Sequence, residues 1–192
     1  MTKRVLEIKS ENCTGCRMCE LACSSSKEGL FIPDHSRIKI ISNGLEGWSR
    51  PVVCLQCEDA MCLKACSVGA IFKTETSQGD PLIAVNIEKC IGCHQCSVAC
   101  PFGAIEFFKG LKAIKCDLCD GAPICVNFCF YKCLSFIELS DEDYQLRINK
   151  LKALTITACQ KISKQELFKR RTDSSIVISQ LTNVLKDKTK DG

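Results

Sequence analysis

The segment Cys90-Ile91-Gly92-Cys93-His94-Gln95-Cys96-Ser97-Val98-Ala99-Cys100-Pro101 decides how this chain is read. Its thiols are spaced C-x2-C-x2-C-x3-C, so three crowd into a single loop and a fourth follows one helical turn later. The same spacing recurs at Cys13, Cys16, Cys19 and Cys23. Two further groups widen one gap: Cys54, Cys57, Cys62 and Cys66 to four residues, and Cys116, Cys119, Cys125 and Cys129 to five. Sixteen of the eighteen cysteines therefore fall into four compact quartets.

Three thiolates two residues apart can cap three corners of an iron–sulfur cube from one looping backbone, and the fourth corner needs a sulfur from elsewhere. This is the bacterial ferredoxin run, in which the fourth cysteine reaches a neighbouring cube. Four quartets imply four 4Fe–4S clusters, and cubes held close together imply electron transfer. Zinc sites more often pair C-x2–4-C units across a longer stretch, so they suit three crowded thiols less well. Disulfides need an oxidising compartment, and the first nine residues lack the apolar run of a secretory signal. Reduced thiols in repeated C-x2-C spacing read as metal ligands, and a cytoplasmic location is expected.

The formal charge of +4 is that of the bare chain. Four cubes with their thiolates would bring it to roughly −4, so the basic balance does not argue for nucleic acid. No apolar stretch is long enough to span a bilayer, and no transmembrane segment is expected. Much of residues 13–133 is cysteine-bearing loop, so the clusters must supply part of the folding energy.

The middle groups share a repeat. Ser67-Val68-Gly69-Ala70-Ile71-Phe72 follows Cys66, and Pro101-Phe102-Gly103-Ala104-Ile105-Glu106 follows Cys100. Glycine permits the bend and Ala-Ile opens a strand. Hairpins are expected over 70–75 with 82–87 and over 104–108 with 111–115. Residues 4–9 read as a strand, 24–53 as an insertion with a strand at 37–41, and Trp48 as packing over cluster loops. Beyond residue 138, helices are expected at 141–163 and 174–187, either covering the chain's own domain or docking a catalytic subunit. The expected fold is α+β: two bacterial-ferredoxin-like dicluster modules with short hairpins and helices, plus a helical C-terminal extension. The ferredoxin-like unit is 1–138 (an inner module 51–115, an outer module 4–50 with 116–138), and the extension is 139–192.

These features resemble the four-cluster iron–sulfur subunits of multisubunit oxidoreductases. Cys13-Thr14-Gly15-Cys16-Arg17-Met18-Cys19-Glu20-Leu21-Ala22-Cys23, then Phe31, Pro33 and Ser36-Arg37-Ile38, is most similar to the small subunits of aldehyde:ferredoxin oxidoreductase-type tungsten enzymes. That similarity includes the benzoyl-CoA reductase branch and the carbon monoxide dehydrogenase iron–sulfur protein. The resemblance implies exchanged fourth ligands. One cube takes Cys13, Cys16, Cys19 and Cys129; a second takes Cys54, Cys57, Cys62 and Cys100. A third takes Cys90, Cys93, Cys96 and Cys66; the fourth takes Cys116, Cys119, Cys125 and Cys23. The implied partner is a catalytic oxidoreductase subunit of tungsten or molybdenum pterin type, or carbon monoxide dehydrogenase, with a further redox subunit or ferredoxin beyond it.

That family often places proline after each fourth cysteine, but here only Cys100 has one; Ser24, Ser67 and Phe130 fill the other places. Cys133 aligns with Ala104, so Cys133 and Cys159 are expected to be small buried apolar residues. His94 is expected to be a loop residue near a cube, and His35 carries no functional reading. The chain lacks C-x3-C-x2-C, G-x-G-x-x-G and P-loop runs, which argues against a catalytic site of its own. The reading is a non-catalytic electron-transfer subunit of anaerobic metabolism; the alternative is a freely diffusing polyferredoxin.

Overall fold

The computed structural model of the chain describes residues 3–108 and 112–160, with side chains to 157. The expected helix at 174–187 and the surroundings of Cys159 lie outside the described residues. Strand β1 (Lys3–Ile8) precedes helix α1 (Met18–Glu28), followed by the hairpin β2 (Ile38–Asn43) and β3 (Trp48–Val53). Helix α2 (Met61–Lys64), strands β4 (Ile71–Glu75) and β5 (Pro81–Val85), helix α3 (Gln95–Ala99) and strands β6 (Glu106–Phe108) and β7 (Lys112–Ile114) come next. Helix α4 (Ile124–Asn127), strand β8 (Leu134–Leu139) and helix α5 (Asp141–Gln160) complete it. It is a mixed arrangement of short helices and two-stranded antiparallel sheets with a C-terminal helix.

Three sheets are local hairpins: β2–β3, β4–β5 and β6–β7. The fourth joins the two ends of the cysteine-rich region, pairing β1 with β8 from Lys3 opposite Leu139 to Ile8 opposite Leu134. The β8 strand follows Cys129 as β4 follows Cys66, but its partner comes from the start of the chain. Two small cysteine-lined cores result among the described residues. Leu6, Ile38, Ile40, Val53, Leu118 and Leu134 pack with Cys19, Cys23, Cys116 and Cys125. Ala60, Ile71, Ile83, Ile105 and Ala113 pack with Cys62 and Cys96. Cysteines occupy so much of both cores that apolar packing alone is thin.

A part-buried ion pair and a surface hydrogen bond tie the two regions. The Arg4 guanidinium binds Asp80 through Nε–Oδ1 at 3.0 Å and Nη2–Oδ2 at 2.5 Å, linking β1 to the β4–β5 turn. Such a forked geometry supplies orientation as well as energy. Nearby, Ser77 N donates to Asp120 Oδ1 at 2.7 Å. Helix α5 lays Tyr144 and Ile148 against Val5, Ile137 and Leu139, so its described part covers the β1–β8 sheet. Among the described residues no helix is long and apolar enough to cross a membrane.

Trp48 stands at the turn end of the β2–β3 hairpin, opposite Asn43. Its indole lies under Arg50 at 4.3 Å and donates to Glu46 Oε2 at 2.6 Å. The same hairpin backs the first cysteine loop. A Cβ on Gly15, where φ is +74°, would come within 2.6 Å of Ser49 Oγ. Glycine is needed there for both conformation and clearance.

Candidate metal centres

Each cysteine loop is bent by left-handed backbone at the same place. The residue two after the first cysteine has positive φ in every group: Gly15 (74°), Gln56 (51°), Gly92 (69°) and Leu118 (54°). The residue after the second cysteine does so in three, at Arg17, His94 and Asp120. These bends turn an otherwise extended C-x2-C run back on itself, and a short helix then carries the third thiol: Cys19 on α1, Cys62 on α2, Cys96 on α3 and Cys125 on α4. Gln56 and Leu118 hold a conformation that costs side-chain-bearing residues about 1–2 kcal/mol. Leu118 is offset by near-complete burial and Gln56 by three side-chain hydrogen bonds.

The fold brings thiols from separate groups to common cavities. One cavity is lined by Cys54, Cys57, Cys62 and Cys100 together with Pro101 and Lys115. Another is lined by Cys13, Cys16, Cys19, Cys129 and Cys133. Burial pushes the Cys96 thiol up to about 11, with Cys90, Cys93 and Cys66 adding to the rise. Cys125 is likewise pushed up by burial, with Cys116, Cys23, Cys119 and Cys19 as its charged neighbours. Cys62 and Cys116 are raised to about 12, first by burial. Protein alone would keep these thiols protonated at neutral pH; iron displaces those protons because the thiolate is the ligand. All the described cysteines are free thiols. A donor set of sulfurs alone, crowded and partly buried, fits iron–sulfur clusters.

Backbone amides aim at several of these sulfurs. Ala70 N donates to Cys66 Sγ at 3.2 Å, Leu134 N to Cys129 Sγ at 3.3 Å and Arg37 N to Cys23 Sγ at 3.4 Å. Ala113 N and Leu118 N donate to Cys90 and Cys116, each at 3.4 Å. Cys23, Cys66 and Cys129, none followed by proline, thus have backbone donors from residues farther along the chain. The left-handed bend three residues past the fourth cysteine is also kept: Gly69 and Gly103 at 62°, and Lys132 at 54°.

Further residues border the cysteine loops. As expected, Cys133 is a small buried residue, 3% exposed, and it lines the cavity of the first group beside Cys13. Arg147 on α5 donates to Leu55 O at 3.0 Å, within the loop between Cys54 and Cys57. His94 stacks on Phe107 at 3.8 Å, and His35 stacks on Phe108 at 4.7 Å, joining the insertion to the inner hairpin. Helical periodicity alone does not mark Arg147, because its target is far away in sequence.

Fold and site define an iron–sulfur protein with ferredoxin-like dicluster architecture. Residues 53–107 match the 4Fe-4S dicluster domain. A candidate electron transport protein of Escherichia coli (strain K12), YsaA, is 39% identical over 149 residues, covering 71% of this chain and 90% of that one. The polyferredoxin-like subunit of aliphatic sulfonate oxidoreductase from Pyrococcus furiosus (strain ATCC 43587 / DSM 3638 / JCM 8422 / Vc1) is 40% identical over 124 residues, covering 64% and 69%. An iron–sulfur protein of Rhodospirillum rubrum is 31% identical over 181 residues, covering 79% and 90%. The active site complex BamBC of benzoyl coenzyme A reductase with benzoyl-CoA aligns with 80% of this chain and 91% of its own at 21% identity, with a TM-score of 0.46, too loose to bear on function. The chain belongs to this family of polyferredoxin-like iron–sulfur proteins. It carries 4Fe–4S clusters and is a non-catalytic electron-transfer subunit of an oxidoreductase.

Proposed function

We propose that the chain holds four 4Fe–4S clusters in a row and conducts electrons between a catalytic oxidoreductase subunit and a second redox carrier. The residues holding them are Cys13, Cys16, Cys19 and Cys129; Cys116, Cys119, Cys125 and Cys23; Cys54, Cys57, Cys62 and Cys100; and Cys90, Cys93, Cys96 and Cys66. When bound, each cluster supplies one-electron chemistry at a potential tuned by burial, charge and hydrogen bonds to sulfur.

The observation that carries this reading is the distribution of exposure. Cys16 and Cys93 are exposed, whereas Cys62, Cys116 and Cys125 are buried. Cys54 is the leading charged neighbour of Cys116, so the second and fourth quartets adjoin. In this order the first and third quartets stand at the ends, each with a solvent-facing thiol where a partner can approach. The domain division follows: an inner module over 51–115, an outer module over 4–50 with 116–138, and an extension from 139.

The catalytic partner is of tungsten or molybdenum pterin type, or carbon monoxide dehydrogenase, in a cytoplasmic complex; the motifs around Cys13 and the relative from aliphatic sulfonate oxidoreductase support a bound subunit over a free shuttle. Iron analysis of anaerobically purified protein is expected to give about sixteen irons per chain, and native purification a catalytic subunit at fixed stoichiometry. Far fewer irons would overturn the cluster count, and a lone chain would favour the freely diffusing polyferredoxin.

A further inference from the structure

Lys115 precedes the first cysteine of the fourth quartet and is only 5% exposed. Its ammonium donates to the Ile83 carbonyl, to Cys116 O at 3.2 Å and to Gln56 Oε1 at 3.3 Å. Gln56 in turn donates from Nε2 to Cys116 O at 2.9 Å and accepts from Ile83 N at 2.9 Å. Its amide therefore bridges the second cysteine loop to the fourth. Among the described residues no carboxylate pairs with Lys115, whereas Arg4, Lys27, Lys64 and Lys73 each have one.

A buried charge held only by neutral oxygens is costly, because removing an ion from water is repaid fully only by an opposite charge. The ammonium lines the cavity of Cys54, Cys57, Cys62 and Cys100 and also touches the backbone of Cys116. Negative charge on either side is what the thiolate-ligated clusters would provide.

Resting on the four-cluster reading, we propose that Lys115, held by Gln56, is the shared counter-charge of the two inner clusters and raises the reduction potential of both. Adding an electron makes a cluster more negative, so a fixed nearby cation stabilises the reduced form. The step between the two modules is thereby kept from becoming the most uphill point of the row. Lys115 is a positioning residue: it donates no electron and binds no iron.

The test is potentiometric titration of the intact protein, followed by electron paramagnetic resonance, with iron content measured in parallel. Lys115→Met keeps the length and removes the charge. It is expected to retain wild-type iron and lower two of the four midpoints, reducing the equilibrium for electron uptake at those two by about tenfold, or 59 mV for one electron. Lys115→Arg is expected to hold all four near wild type. Gln56→Glu places a carboxylate against the ammonium with little change of shape, so it is expected to lower the same two midpoints even if Lys115→Met loses iron. Unchanged midpoints in both charge variants, or an equal shift of all four clusters, would overturn the role of Lys115. A wild-type iron content far below sixteen would instead overturn the four-cluster reading on which it rests.

Discussion

The first and third cysteine loops differ from the second and fourth in a way that spacing alone announces but does not explain. The unwidened runs carry Gly15 and Gly92 at the first left-handed bend and leave Cys16 and Cys93 exposed. The widened runs carry Gln56 and Leu118 at the same bend, and their side chains are used. Leu118 is buried in the outer core, and Gln56 joins its own loop to Cys116. The lesson is that glycine serves where a loop needs only the bend. Where two loops meet, backbone strain is accepted because the side chain welds them together.

The sharpest way to break this comparison is to remove a thiol from each kind of loop. Cys62→Ser is expected to lose roughly a quarter of the iron and much of the thermal stability, because a buried corner has no substitute. Cys93→Ser should lose about one iron at most, since solvent can complete an exposed corner. Iron analysis and thermal melts would show it, and equal loss in both would erase the distinction. Cys133→Ser, with all sixteen assigned ligands kept, is expected to leave iron content unchanged.

Cluster loading sharpens the same contrast through pH. Burial raises the folded thiols to about 12 at Cys62 and Cys116, above the ordinary cysteine value near 8.5. Raised values favour the protonated, unloaded pocket, so iron must expel protons and loading strengthens as pH rises from about 6 to 9. Anaerobic reconstitution across that range, read by absorbance and iron content, checks the sign. The buried quartets should depend on pH more steeply than the two with exposed thiols.

Backbone substitutions probe smaller effects. Gly15→Ala meets both positive φ and the Ser49 hydroxyl, so a loss of about 3 kcal/mol is expected in chemical denaturation. Arg147→Gln would free the Leu55 carbonyl from α5 at a cost of about 1–2 kcal/mol, localised to the second loop by hydrogen exchange. Gly103→Ala, with φ of +62° but nothing within 4 Å of an added Cβ, should cost only about 1 kcal/mol.

Much of this was legible in advance. The repeated Gly-Ala-Ile after Cys66 and Cys100 led to β4–β5 and β6–β7, because the bend and the strands that follow it are local. The strand read at 37–41 is β2, at Ile38–Asn43; its partner β3, which includes Pro51, was not foreseen. The β1–β8 pairing was also missed, since neither strand carries a turn signal pointing to a partner at the other end of the region. Gln56, Lys115 and Arg147 escaped for a related reason: their partners belong to loops or helices remote in sequence.

Thiol spacing by itself settled the chemistry, because three cysteines in one tight loop present sulfur in a pattern that few cofactors other than a metal cluster use. The Gly-Ala-Ile repeats likewise announced β4–β5 and β6–β7, whose turns and strands are adjacent in the chain. Only the tertiary structure decided which quartets adjoin, which thiols face solvent and where an unpaired cation is buried. Those depend on contacts between distant segments, and no local pattern of residues encodes them.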